Sequence, residues 1–104
     1  MNSFKHPIKG LVNIDDLSPN ALLQTYLMAS YMYYKCFENL MEDNEFDYVC
    51  KRLLKEYDKI DHEHKYLVSE DDLKAGTGYA IKEYPVRVMI AADMWAKASY
   101  DNLN

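Results

Sequence analysis

The run Tyr31-Met32-Tyr33-Tyr34-Lys35-Cys36-Phe37-Glu38-Asn39-Leu40-Met41-Glu42-Asp43-Asn44-Glu45-Phe46-Asp47 concentrates the residue types able to recognise a ligand. Aromatic rings stack on heterocycles and attract cations. Carboxylates close behind them accept hydrogen bonds from hydroxyl or amide groups. Together these groups suit a flat, cationic or hydroxyl-rich ligand. Each residue also has an ordinary structural use. The rings can be core, Asp43 can cap a helix, and Asp47 is a first-turn charge favoured by the helix dipole.

Other constellations are weaker. His62-Glu63-His64 follows Asp61. A pair of histidines two apart shares a face only on a strand, and no third His or Cys lies nearby, so a solvated turn is the better reading. Gly76-Thr77-Gly78-Tyr79 lacks the Lys-Ser/Thr ending of a phosphate loop and the third Gly of a dinucleotide fingerprint, and reads as a helix stop. Asp15-Asp16 and Glu70-Asp71-Asp72 are acidic helix starts that could also meet a basic protein surface. Cys36 and Cys50 lack closely spaced partners and read as reduced core residues, with no metal site expected.

Helices must position these groups. Ser18-Pro19 is a helix start, and Leu23, Tyr26, Leu27, Tyr31 and Tyr34 recur at helical steps, predicting a central helix from Pro19 to about Phe37. Asp43 is the expected N-cap of a second helix ending near Asp61, with Phe46, Val49, Cys50, Leu53, Leu54 and Tyr57 as its apolar stripe. The short connection between them implies an antiparallel hairpin. Ser69 should cap a short helix that Gly76 ends, and Pro85 should open a last helix reaching about Tyr100, with Val88, Met89, Ala92, Trp95 and Ala96 turned inward. Residues 1–17 read as an irregular arm, with Leu11–Ile14 either an edge strand or packed on the helices. The expected fold is all-α: one helical domain over 1–104, built on a helical hairpin with a third, C-terminal helix.

Composition narrows the function. There are 12 Lys and Arg against 17 Asp and Glu, a net charge of -5, which argues against general nucleic-acid binding and anionic membranes. The longest uncharged run, Leu17–Tyr34, is too polar to span a bilayer, and the N-terminus lacks a signal-peptide core, so a cytoplasmic protein is expected. Ten tyrosines are a surplus that fits either an amphipathic core edge or a stacking face.

Residues 22–60 resemble the small N-terminal helical (Ia) domain of NAD-dependent DNA ligases. That domain has a hairpin whose first helix ends in Tyr-His and whose second begins Asp-x-x-Tyr-Asp. Tyr33-Tyr34 and Asp43-Asn44-Glu45-Phe46-Asp47 align to this pattern without a gap, and Lys51–Tyr57 is similar to the continuation of the second helix. The resemblance implies that Tyr33, Tyr34, Asp43, Phe46 and Asp47 hold the nicotinamide mononucleotide half of NAD. Tyr34 stands where the family has His, Phe46 where it has Tyr, and Glu42 precedes the Asp where the family often has Pro or Ser.

The ligases' Lys-x-Asp-Gly nucleophile motif belongs to a separate domain. Lys59-Ile60-Asp61-His62 matches its spacing only by coincidence, so no catalysis is expected. Three functions stand. First comes a non-catalytic interaction protein, similar in size and composition to bacteriophage accessory and inhibitor proteins; it would act in the host cytoplasm and dock a protein with a basic face. The alternative is a nicotinamide-nucleotide (NMN or NAD) binding module. The third is a self-assembling component using surplus Tyr with Met89 and Met94 as a homo-oligomer interface.

Overall fold

Ser18 and Pro19 start the first helix as their types predict. In the computed structural model, which describes residues 3–6 and 10–102, the Ser18 hydroxyl accepts from the Ala21 amide at 3.2 Å and Pro19 occupies the first turn. Helix α1 (Pro19–Lys35) is the centre of the fold: Leu22, Leu23, Tyr26, Leu27 and Met32 are buried along it, and it packs against both α2 (Asp43–Lys55) and α4 (Val86–Asn102). Helix α3 (Glu70–Ala75) packs on α2. Each fully buried Leu contributes roughly 1.5–3 kcal/mol, whereas an exposed pair such as Asp47–Lys51 contributes at most about 1 kcal/mol, so α1 and its neighbours determine the fold.

Four expectations are corrected. The first qualifies the all-α class: the fold is mostly helical, as expected, but β1 (Ser3–His6) and β2 (Gly10–Asn13) add an antiparallel pair with Phe4 opposite Val12. Phe4 and His6 point to one face and are buried, and the His6 ring meets Trp95 of α4 edge-on at 4.0 Å. β2 falls on the Leu11–Ile14 stretch that the sequence left open as an edge strand, whereas the four residues of β1 give too little alternation to stand out; α4 meets the hairpin's inner face through Trp95. Of the expected irregular arm, residues 1, 2 and 7–9 lie outside the described residues.

The second is the start of α2. Its N-cap is Glu42, not Asp43, and the Glu42 amide donates to the Glu45 carboxylate at 2.8 Å. This reciprocal device satisfies the helix start one residue early and leaves Asp43 in the first turn without a capping duty.

The third is the end of α2, which stops at Lys55 and passes through a 3-10 turn at Tyr57–Lys59. Asp61 cannot be helical because Asn20 takes both its backbone groups: its amide donates to the Asn20 side-chain oxygen at 2.9 Å, and its carbonyl accepts from the Asn20 amide at 2.7 Å.

The fourth is the end of α1, at Lys35 rather than Phe37, because Phe37 takes a left-handed backbone (φ 57°) that reverses the chain.

Ser69 and Gly76 do bound α3: the Ser69 hydroxyl accepts from Asp72 and Gly76 is left-handed (φ 70°). Val88 and Ala92 of α4 are buried, with Met89, Trp95 and Ala96 packed against the core. Cys50 is buried as expected, but Cys36, at the end of α1, is partly exposed.

Candidate ligand-binding site

Ala29 and Ser30 lie three to five residues before Tyr33 and Tyr34 on the last turns of α1, so the two pairs share one face. The chain reverses at Phe37, and Asn39, Leu40 and Met41 carry it to α2, whose first turn presents Asp43 and Phe46. These residues, with Gly76 from the end of α3, enclose a pocket of ≈ 180 Å³.

Four of the five residues singled out from the sequence therefore meet. Tyr33, Tyr34, Asp43 and Phe46 all line the pocket. Asp47 does not: its carboxylate pairs with Lys51 at 2.9 Å and lies 3.0 Å from where a Cβ on Gly76 would fall. Asp43 has no hydrogen bond or ion pair among the described residues, so its carboxylate is available to a ligand.

The rings differ in their freedom. Phe46 is held by stacking on Tyr26, with centroids 5.6 Å apart and planes 18° apart. Tyr34 is held from two sides, since its hydroxyl shares a 2.6 Å hydrogen bond with the Thr77 hydroxyl and its ring meets Tyr79 edge-on at 5.8 Å. Tyr33 stands edge-on to Tyr34 at 4.9 Å and is half exposed, so it forms the outer lip of the pocket.

Sequence reasoning missed the segment that braces this site. Thr77 accepts from the Tyr26 hydroxyl through its carbonyl at 2.7 Å, and its side-chain oxygen accepts from the Tyr79 amide at 3.0 Å. Burial pushes the Tyr26 phenol far above its usual range, so it stays a neutral donor to that carbonyl. Gly78 lies against α1 so closely that a Cβ there would fall 2.2 Å from the Ser30 hydroxyl oxygen. The sequence signal was the pair of glycines around Thr77, read only as a helix stop. Ser30 itself lines the pocket, and its hydroxyl is buried without a hydrogen-bond partner.

Chemically, the pocket offers rings, the Asp43 carboxylate, the Ser30 and Tyr33 hydroxyls and the Asn39 amide, none of which has a hydrogen-bond partner among the described residues. Among the described residues no group of three or more His, Cys, Asp or Glu side chains could hold a metal ion, and no helix is long and apolar enough to cross a membrane. No family model, curated protein or solved structure matches this chain.

Proposed function

We propose that this chain is a non-catalytic binding module whose α1–α2 pocket takes a flat ring with polar substituents, and that nicotinamide mononucleotide is the best-suited ligand. The observation that carries the reading is the meeting of Tyr33, Tyr34, Asp43 and Phe46 around one pocket. Its size is in keeping: an apolar cavity of about 150 Å³ holds benzene, so ≈ 180 Å³ suits one six-membered ring, with the sugar and phosphate outside. The ring walls and the Asp43 carboxylate favour a cationic pyridinium, and the unpaired Ser30 hydroxyl supplies a hydrogen bond for a carboxamide.

Calorimetric titration of the chain with nicotinamide mononucleotide tests this. Binding should weaken at least tenfold in Tyr33→Ala and in Asp43→Asn. Absence of heat at millimolar ligand would end the reading.

A second reading, the interaction protein with a basic-faced partner, draws on a different observation. Tyr33, Phe37 and Tyr79 are exposed aromatic groups, and exposed Glu38 and Glu42 flank the same α1–α2 connection. Pull-downs at low and moderate salt that recover nothing above background count against it.

A further inference from the structure

Helix α4 presents two apolar faces. Val88 and Ala92 turn into the core. Val86, Ile90 and Met94 recur at four-residue steps and are each more than half exposed. At about 100° per residue, Ile90 lies about 160° around the helix from both Val88 and Ala92, so this row points away from the core. The outer face of a surface helix is ordinarily polar, and a helix apolar on both sides is ordinarily covered on both. Met89 and Met94, the two methionines that the sequence offers for an oligomer interface, divide between the faces, because five residues turn a helix by about 140°. None of the row lines the pocket at the α1–α2 connection, so the two surfaces share no residue.

The charges beside the row point to what covers it. Arg87 and Asp93 are exposed and have no ion-pair partner among the described residues. The helix is balanced, with Arg87 and Lys97 against Asp93 and Asp101, in a chain of net charge -5. A basic partner gains little from a neutral face, whereas a second copy brings matching charges of its own. We propose that α4 is a self-association face, on which a second copy of this chain packs its own Val86, Ile90 and Met94 across a two-fold axis. Two helices that lay rows of residues spaced four apart along each other cross at about 50°. With the axis running along the row, Ile90 packs beside its own copy. Arg87, three residues before Ile90 on one flank, then stands beside Asp93 of the second copy, three residues after Ile90 on the other flank, and this contact forms twice. Laying the rows head to tail would instead set Arg87 beside Arg87 and Asp93 beside Asp93. The charges thus select one of the two arrangements. A single helix crossing is a small interface, so the dimer is a weak one.

Sedimentation equilibrium of the full chain from micromolar to millimolar tests this, in about 0.15 M salt to screen the general repulsion between two acidic chains. The mass should rise with concentration from that of one chain toward that of two. Ile90→Asp sets like charges together at the axis and should weaken association about tenfold or more, while the thermal midpoint holds because the side chain is exposed. Arg87→Asp and Asp93→Arg should each associate about fivefold or more weakly, since each brings like charges together twice. Mixing these two variants should restore the affinity of the unmodified chain, because every such contact is again between opposite charges. A chain that stays monomeric to millimolar concentration would overturn the proposal and leave the row to a different protein. Undiminished association of Ile90→Asp would put the dimer on another surface and overturn it too. A mixture that associates no more tightly than either variant alone would overturn the two-fold packing.

Discussion

The hydroxyls of Tyr34 and Thr77, 43 residues apart in the chain, lie 2.6 Å from each other and lock one wall of the pocket to the segment after α3. Tyr34 is therefore a fixed wall whose polar tip is already engaged. The Asp43 carboxylate and the Ser30 hydroxyl, by contrast, have no hydrogen-bond partner among the described residues.

Thr77→Val removes this hydrogen bond and the one the Thr77 hydroxyl accepts from the Tyr79 amide, and keeps the side-chain shape, while the bond from Tyr26 to the Thr77 carbonyl stays. Denaturant unfolding should show a loss of roughly 1–3 kcal/mol, the sum of two ordinary hydrogen bonds. In a double-mutant cycle with Tyr34→Phe, the coupling should be roughly 0.5–1.5 kcal/mol. Additive effects of the two substitutions would mean that the hydroxyls do not hold each other.

Gly78→Ala should destabilise the fold by roughly 1–3 kcal/mol, the range for overpacking, because its Cβ would fall 2.2 Å from the Ser30 oxygen and 2.8 Å from the Ser30 Cβ. Both neighbours belong to one side chain, so Ser30→Gly in the same chain should recover part of the loss. No recovery in the double variant would place the damage elsewhere.

Phe37→Gly should do the reverse. Relieving a left-handed backbone at a helix end stabilises by about 1 kcal/mol, which raises the thermal midpoint of a domain this size by roughly 4 °C. The same change removes the exposed ring. A lower midpoint would show that the ring contributes to packing after all.

Alkali should unfold the protein in a defined window. Burial pushes the Cys50 thiol from 9.0 up to about 12, helped by the charges of Asp47 and Asp72. It also pushes the Tyr84 phenol from 10.0 up to about 12, with Tyr34 adding to the effect. The unfolded chain therefore releases these protons first. Cys50 and Tyr84 therefore leave stability unchanged below about pH 9 and lower it as pH rises from 9 to 12. Cys50→Ala should flatten the early part of that slope. A free energy of unfolding that stays level from pH 9 to 11 would contradict the assignment.

Local chemistry made much of this protein legible from its sequence. Ser18-Pro19, Ser69 and Gly76 act within a few residues of themselves, so their types alone placed the start of α1 and both ends of α3. The apolar steps from Leu23 to Tyr34 marked the central helix for the same reason. The short link to α2 was enough to bring Tyr33 and Tyr34 near Asp43 and Phe46.

Tertiary structure decided the rest, because those features depend on groups far apart in the chain. The four-residue strands persist through burial against Trp95. Asp61, where the sequence placed the end of α2, is held instead by Asn20, 41 residues away, which bonds both its backbone groups. Asp47 faces Lys51 outside the pocket, although its spacing matches that of the other site residues. The bracing of Tyr26 and Tyr34 by Thr77, and the fit of Gly78 against Ser30, arise only when α3 packs on α2 and delivers the following residues to α1. Helical periodicity reports which face a residue occupies, and only packing reports what stands opposite it.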